Sequence, residues 1–339
     1  MSTSFSSLPI ISLAALCSSF PKPEELAKLS THLDSVFSTT GFAYLTDLPL
    51  SYTHDDVFGV CDEFFGTEGL SSDEKMMLAK KTFVPMNKNT YRGYFPPQLG
   101  ADNFKEGFEL GSRSSTQISS PLTRPKLDLS EPNVFPSSRA EFQKRCETLH
   151  DELQNLSARL LELLAVALGK PVPFFNHYLD NSLSTLRLLH YPPVPETRQL
   201  DLICTPHTDS GILTLLHQDK TGGLEVRNSE GEWIPAPYIP GSLVVNIGDL
   251  MSKVSGGKWV ATFHRVRSSK REGSKTRGRY SVPFFFEPGF NCVVESVEGD
   301  QVIYGEHVLE KMKGWVEFQD VVGDAPQSIV PTINAVPAF

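Results

Sequence analysis

The stretch His207-Thr208-Asp209-Ser210-Gly211-Ile212-Leu213-Thr214-Leu215-Leu216-His217-Gln218-Asp219-Lys220-Thr221-Gly222-Gly223-Leu224-Glu225-Val226 carries the decisive pattern of this chain. An apolar strand, Ile212 to Leu216, runs into the turn cluster Thr221-Gly222-Gly223, and apolar residues then alternate at Leu224 and Val226. Working outward, the period is two from Ser184 onward. Strand candidates fall at 184–191, 211–218, 223–227, 232–236, 242–247, 261–267 and 279–287. Between them lie Asn228-Ser229-Glu230-Gly231, Pro240-Gly241 and the stretch from Gly273 to Gly278. Short strands at roughly ten-residue spacing predict a sandwich or barrel.

Upstream the period is helical. Leu26, Leu29, Leu33 and Val36/Phe37 predict a helix over Glu24 to Phe37, stopped by Gly41 and followed by a short strand at Phe42-Ala43-Tyr44-Leu45. A second helix is expected over His54 to Phe65, and a third opens at Ser72-Asp73-Glu74. Residues 80–135, rich in Pro, Gly and Ser, read as long ordered loops. The longest helix starts at Pro136-Ser137-Ser138, carries the stripe Phe142, Cys146, Leu149, Leu153, Leu156, Leu160 and Leu164, and ends at Gly169. No repeat and no Ser/Gly linker divides the 339 residues. The expectation is one domain, 1–339. Residues 1–183 would be mostly helical, 184–290 the β core, and 291–339 a C-terminal segment.

Composition excludes several classes. With 40% hydrophobic and 21% charged residues the chain is neither collagen-like, coiled-coil nor disordered. A net charge of −9 disfavours nucleic acid and anionic membranes as partners. The basic stretch from Arg265 to Arg279 has no interleaved aromatics and reads as a solvated turn. Five widely spaced cysteines without a CxxC suggest free thiols in a reducing compartment. No basic n-region precedes the apolar opening, since the first lysine is Lys22, and no apolar run reaches the ~18 residues of a membrane span. A cytoplasmic protein acting on a small molecule is expected; the oligomeric state is left open.

His-x-Asp occurs four times, at 32/34, 54/56, 207/209 and 217/219. The first two fall on helix candidates, where residues i and i+2 point apart and cannot share an ion. In extended chain i and i+2 share a face, so the pairs at 207 and 217 both stay open as metal ligands. His217-Gln218-Asp219 runs into a turn, a common place for solvated polar residues. His207-Thr208-Asp209 lies between Pro206 and an apolar strand. His264, in Thr262-Phe263-His264-Arg265-Val266, can complete a set with His207 and Asp209. Two imidazoles and one carboxylate fill one face of an octahedral Fe(II) and leave the other open. Further on, Arg279 offers a planar fork for a carboxylate, with Ser281 on the same strand face. By parity Phe285 joins that face, and Arg187 shares one with Tyr191. Arg187, Phe285 and Arg92 of the Arg-Gly-Tyr loop are candidates to meet a substrate. His190 is assigned to packing or the surface, and Asn246 and Asp249 to fixing strand-end backbone.

Taken in order, these segments resemble the isopenicillin N synthase-like family of 2-oxoglutarate- and Fe(II)-dependent dioxygenases. The resemblance spans nearly the whole chain. It includes Leu8-Pro9-Ile10-Ile11-Ser12-Leu13, Gly41-Phe42-Ala43-Tyr44-Leu45, Asn89 to Tyr94, Lys105 to Gly111 and Leu186 to Pro193. It continues through Gly222 to Val226, Val244 to Asp249, His264-Arg265-Val266 and Arg279-Tyr280-Ser281. The resemblance implies a mainly β fold, a distorted double-stranded β-helix (jelly roll) core wrapped by N-terminal helices. It implies iron on His207, Asp209 and His264, with the distal carboxylate of 2-oxoglutarate on Arg279, Ser281 and Tyr191. It implies O2 as oxidant, succinate and CO2 as by-products, and ascorbate as a candidate reductant. The implied reaction is hydroxylation of a small molecule, an amino acid or secondary-metabolite intermediate, with desaturation or cyclisation as variants. Two alternatives are an oxidase of the isopenicillin N synthase type, which needs no 2-oxoglutarate, and a catalytically silent sensor. The segment Leu189-His190-Tyr191-Pro192 resembles fungal members, the thymine hydroxylase group among them. In that group an aromatic follows His-x-Asp, whereas this chain has Ser210, which removes a stacking partner for a flat pyrimidine.

Overall fold

The computed structural model describes residues 4–97, 104–113, 127–194, 201–268 and 277–314. Eight strands form one sheet: β1 (Ile10–Ser12), β2 (Phe42–Thr46), β3 (Gly93–Phe95), β4 (Glu106–Gly111), β5 (Thr185–Tyr191), β7 (Leu213–Gln218), β10 (Leu243–Ile247) and β12 (Arg279–Phe286). Their spatial order is β1-β2-β10-β7-β12-β5-β4-β3. A four-stranded sheet faces it, ordered β6-β11-β8-β9, from β6 (Leu202–His207), β8 (Leu224–Arg227), β9 (Trp233–Pro235) and β11 (His264–Arg267). A small ladder of β13 (Val293–Glu295) and β14 (Gln301–Ile303) follows. Neighbours distant in sequence, such as β5 beside β12 and β12 beside β7, give the crossed connections of a jelly roll.

Side-chain alternation sets the layers. On β12, Tyr280, Val282, Phe284 and Phe286 enter the main core, whereas Arg279, Ser281, Pro283 and Phe285 face a cavity. On β5, Leu186 and Leu188 enter the core, and Arg187, Leu189 and Tyr191 face the cavity. The large sheet is therefore covered on both faces. A second apolar cluster, with Phe42, Leu189, Ile203, Leu224, Val244 and Val266, lies between the sheets and lines part of that cavity. β10 is buried at all five positions, as expected of a strand with no solvated face.

Helices α1 (Ala14–Cys17), α2 (Pro23–Phe37), α3 (His54–Phe65), α4 (Ser72–Met77) and α5 (Ala140–Ala167) precede the barrel strands β5 to β12, and the buried apolar residues of α1, α2, α3 and α5 belong to the main core. α2 starts with Pro23 in its first turn, where a missing N–H costs nothing. Thr53 with Asp56, and Ser71 with Glu74, close capping boxes at the starts of α3 and α4. The expected stripe of α5, Phe142 to Leu164, is buried along its length. Truncating one of these leucines to alanine should cost about 2–5 kcal/mol. Gly169, at φ 69°, ends the run, a conformation that only glycine adopts cheaply. Past β10 lies α6 (Asp249–Val254), and past β14 lies α7 (Tyr304–Met312).

The expectation of loops throughout 80–135 is corrected by β3 and β4, which extend the large sheet beyond β5. β4 has the sequence Glu-Gly-Phe-Glu-Leu-Gly, and all six residues are buried. Its charges are neutralised by internal cations, Lys75 on Glu106 and Lys80 on Glu109. Gly107 admits the Phe95 ring, which a Cβ would meet at 2.4 Å. No polar/apolar alternation betrays such a strand. β6 is also absent from the strand candidates because Pro206 interrupts it; it stands at a sheet edge, where proline is tolerated. His217 and Asp219, expected at a solvated strand end, are instead buried. Most of the basic stretch 265–279 and the end of the C-terminal segment fall outside the described residues.

Candidate active site

The ladder between β6 and β11 places His264 opposite His207, ring centroids 4.2 Å apart. Asp209 follows β6 by two residues, and its Oδ1 lies 3.9 Å from His207 Nε2 and 3.7 Å from His264 Nε2. The remaining polar atoms of the three side chains are occupied. His207 Nδ1 donates to the Thr205 carbonyl at 2.8 Å and His264 Nδ1 to the Thr262 carbonyl at 3.2 Å, which fixes Nε2 as the lone-pair nitrogen of each ring in its neutral form. Asp209 Oδ2 accepts from Thr214 Oγ1 at 2.6 Å and Asn246 Nδ2 at 2.8 Å. Three ligand atoms, one from each residue, thus lie within 4.8 Å of one another. The donor set fits Fe(II): two imidazoles and a carboxylate with donors supported from behind.

The charge states differ across the triad. Burial pushes the Asp209 carboxyl up, but His264, His207 and the two hydrogen bonds outweigh it and hold the group below its usual range. Burial and then His207 push His264 down to about 4, so at neutral pH it presents the lone pair a metal needs. Burial pushes His207 down as well, but Cys204 and Asp209 outweigh it and hold that imidazole at about 9.

Contrary to the expectation for Asn246, its side chain donates to the Asp209 carboxylate rather than to strand-end backbone. Asp249 does act on the ligand loop: its N–H donates to the Asp209 carbonyl at 2.7 Å, and its carboxylate accepts from Thr208 Oγ1 at 3.0 Å. α7 closes over the same loop. Lys311 pairs with Asp249, and His307 Nε2 lies 3.0 Å from the Ser210 carbonyl. Thr214, His307 and Lys311 have no signal in the sequence, because nothing local marks their contact with the ligand loop.

From the triad an inner cavity of about 80 Å³ runs between the sheets to Arg279, Ser281 and Tyr191. Arg279 is buried. Its Nε donates to the Gly222 carbonyl at 2.8 Å, whereas its Nη1 has no hydrogen-bond partner among the described residues. The guanidinium lies 5.0 Å from the Tyr191 ring centre, directly across the strand pair. An unpartnered buried guanidinium N–H costs free energy unless an anion meets it. Burial raises the Tyr191 phenol, which therefore stays protonated as a donor. His190 points the other way: Nδ1 lies 2.7 Å from Glu106 and Nε2 2.7 Å from the Arg277 carbonyl, which anchors the backbone leading into Arg279.

An outer chamber of about 250 Å³ shares His207, Asp209, Arg187 and Phe285 with the inner one and adds Tyr91, Ser210 and Glu287. Arg187 pairs with Glu109 and lies 5.2 Å from the Phe285 ring centre. Glu109 is shared with Lys80, so this trio carries one net positive charge. Arg92, expected to meet a substrate, lines neither chamber. Its guanidinium donates to Thr185 Oγ1 at 3.2 Å and to the Leu129 carbonyl at 3.3 Å. The outer chamber's Glu287 has no distinguishing mark in the sequence, where it reads as the end of an apolar strand.

Two sequence profiles match this chain. The 2OG-Fe(II) oxygenase superfamily profile covers residues 178–288, and the profile for the N-terminal part of a non-haem dioxygenase in morphine synthesis covers 8–138. A homoarginine-6-hydroxylase from Oryza sativa subsp. japonica is 32% identical, over 92% of this chain and 98% of its own. The 2-oxoglutarate-dependent dioxygenase citB of Monascus ruber is 30% identical, over 86% of this chain and 90% of its own. Among solved structures, a full-length Neurospora crassa protein in complex with alpha-KG superposes with a TM-score of 0.74 at 24% identity, covering 90% of this chain and 95% of that one.

Proposed function

The chain belongs to the 2OG-Fe(II) oxygenase superfamily, and from that premise we propose that it hydroxylates a small molecule, an amino acid or a secondary-metabolite intermediate. It is a 2-oxoglutarate-dependent dioxygenase that takes Fe(II), 2-oxoglutarate and O2. His207, Asp209 and His264 would hold the iron. Bound there, iron with 2-oxoglutarate and O2 supplies the oxidising chemistry, with succinate and CO2 released. Arg279 meets the distal carboxylate of the cosubstrate with its fork, and Ser281 and Tyr191 add hydroxyl donors. Phe42, Leu216, Leu224 and Val266 exclude water from that channel, so each polar contact acts in a low dielectric. Thr214 and Asn246, which both donate to Asp209 Oδ2, would keep the other carboxylate oxygen turned toward a bound metal. Arg187 and Phe285 form one wall of the outer chamber, where the substrate sits.

One observation carries this reading. The channel begins on three convergent ligand atoms and ends on an orphaned guanidinium N–H. That arrangement matches a molecule with a chelating head and an anionic tail.

The choice of an amino acid rests on the chamber wall and on the homoarginine-6-hydroxylases among the relatives, at 30–32% identity. A structure of the same Neurospora crassa protein, at 23% identity, contains thymine, but here the cavity residue after Asp209 is Ser210, which offers a flat ring no aromatic face. Among the described residues no helix is long and apolar enough to cross a membrane.

The test is anaerobic addition of Fe(II) and 2-oxoglutarate, read by the visible charge-transfer band, then admission of O2 with basic and neutral amino acids and assay of succinate. A band, and succinate that rises with an amino acid, is expected. No band and no succinate with any substrate overturns the reading.

A further inference from the structure

Glu287 is a carboxylate that neither the metal set nor the cosubstrate channel uses. It follows β12, is only 6% exposed, and lines the outer chamber beside Phe285 and Ser210. Its backbone is pinned on both sides: the N–H donates to Ser184 Oγ at 3.0 Å, and the carbonyl accepts from Ser182 Oγ at 2.6 Å. The side chain is given room by Gly211, where a Cβ would come within 3.0 Å of Glu287 Cγ. A carboxylate this deep needs a counter-charge. The two guanidiniums whose field reaches it are engaged elsewhere, Arg187 by Glu109 and Arg92 by Thr185 and backbone carbonyls. Burial pushes the Glu287 carboxyl up to about 7; the Tyr304 hydroxyl, Arg92 and Arg187 pull it down, and the Asp209 carboxylate pushes it up.

We propose that Glu287 is the substrate-recognition residue for a cationic nitrogen, so that the substrate is a molecule bearing an amine or guanidinium, received in the outer chamber beside the metal ligands. The assignment rests on the proposed oxygenase reading and adds what that reading leaves open, the charge of the substrate. Among the described lining residues of the chamber, Lys105 and Arg187 carry positive charge, Arg187 already paired with Glu109, and Glu287 is an acidic group outside the metal triad. A cation seated on Glu287 gains a buried, charge-assisted hydrogen bond, whereas a neutral isostere leaves the carboxylate unmatched.

The experiment uses the full chain loaded anaerobically with Fe(II) and 2-oxoglutarate. Binding is read from the perturbation of the charge-transfer band and from calorimetry, without turnover. The probes are two matched pairs, L-homoarginine with L-homocitrulline and L-lysine with L-norleucine. At least one basic probe should bind roughly tenfold or more tightly than its neutral partner. Glu287→Gln should weaken that probe by about 30-fold or more, a lost buried charge pair, and should bring it level with its partner. The band itself and the 2-oxoglutarate affinity should be unchanged. Glu287→Asp, which keeps the charge on a shorter stem, should recover part of the preference and guards against misfolding in the first variant. Equal binding within both pairs, failure of both basic probes to bind, or a preference that survives Glu287→Gln overturns the assignment. If the wild-type band itself fails to form, the oxygenase reading falls as well, so the two failures are told apart.

Discussion

His264 stands opposite His207 across the β6–β11 ladder, the two rings 4.2 Å apart, and each turns its Nδ1 onto the carbonyl of the residue two before it. The same local hydrogen bond, made twice, fixes both tautomers and leaves both Nε2 atoms facing Asp209.

His264→Ala should therefore lower Fe(II) affinity by more than ~100-fold, beyond the effect usual for a supporting residue. Anaerobic equilibrium dialysis measures this directly. His217→Ala, at the rival His-x-Asp pair, should bind iron as the wild type does. The opposite ranking would mean that the metal sits at the other pair.

Asn246 and Thr214 both donate to the oxygen of Asp209 that faces away from the histidines. Asn246→Ala should lower Fe(II) affinity by about 10–100-fold while leaving the KM for 2-oxoglutarate within a few-fold. An unchanged metal affinity would show that the Asp209 carboxylate orients itself without help.

Arg279 is held by Gly222 through Nε and carries the orphaned Nη1 at the end of the inner channel. Arg279→Lys keeps the charge and loses the fork. The KM for 2-oxoglutarate should rise by about 30-fold, matching roughly 2 kcal/mol for a weakened buried charge pair. Metal affinity measured without cosubstrate should stay as in the wild type. A normal KM would place the anchor elsewhere.

His217 is buried against His54 and Tyr52, and burial first, His54 second, pushes its pKa well below 6.5. Its stabilising effect is present above the unfolded value of 6.5 and is lost as pH falls below it, because only the unfolded chain then takes up the proton. The loss amounts to about 1.4 kcal/mol per pH unit. His217→Phe should flatten the fall in Tm between pH 6.5 and pH 5. Parallel Tm curves for the two proteins would show that the native imidazole is protonated freely.

Most of the barrel was legible because its strands β5, β7, β10 and β12 are apolar runs bounded by turn residues, and because α2, α3 and α5 keep a strict helical stripe. β4 was not legible, since a buried strand whose charges are satisfied internally, by Lys75, Lys80 and Arg187, has the composition of a loop. The candidate metal set was readable for a related reason. His207 and Asp209 are two apart on extended chain, and His264 lies on another strand candidate, so the sequence restricted which side chains could meet.

What the sequence determined by itself was local: period, turn chemistry, and the donor types that suit Fe(II) at spacings a strand can present on one face. Only the tertiary structure decided which faces meet. The register opposing His264 to His207, the turning of Asn246 onto Asp209, the retreat of Arg92 into its own hydrogen bonds and the exposure of Glu287 to the chamber each join residues far apart in the chain. The reason is physical. Side-chain alternation assigns a residue to a face, but sheet pairing and the packing of the helices fix what that face is brought against.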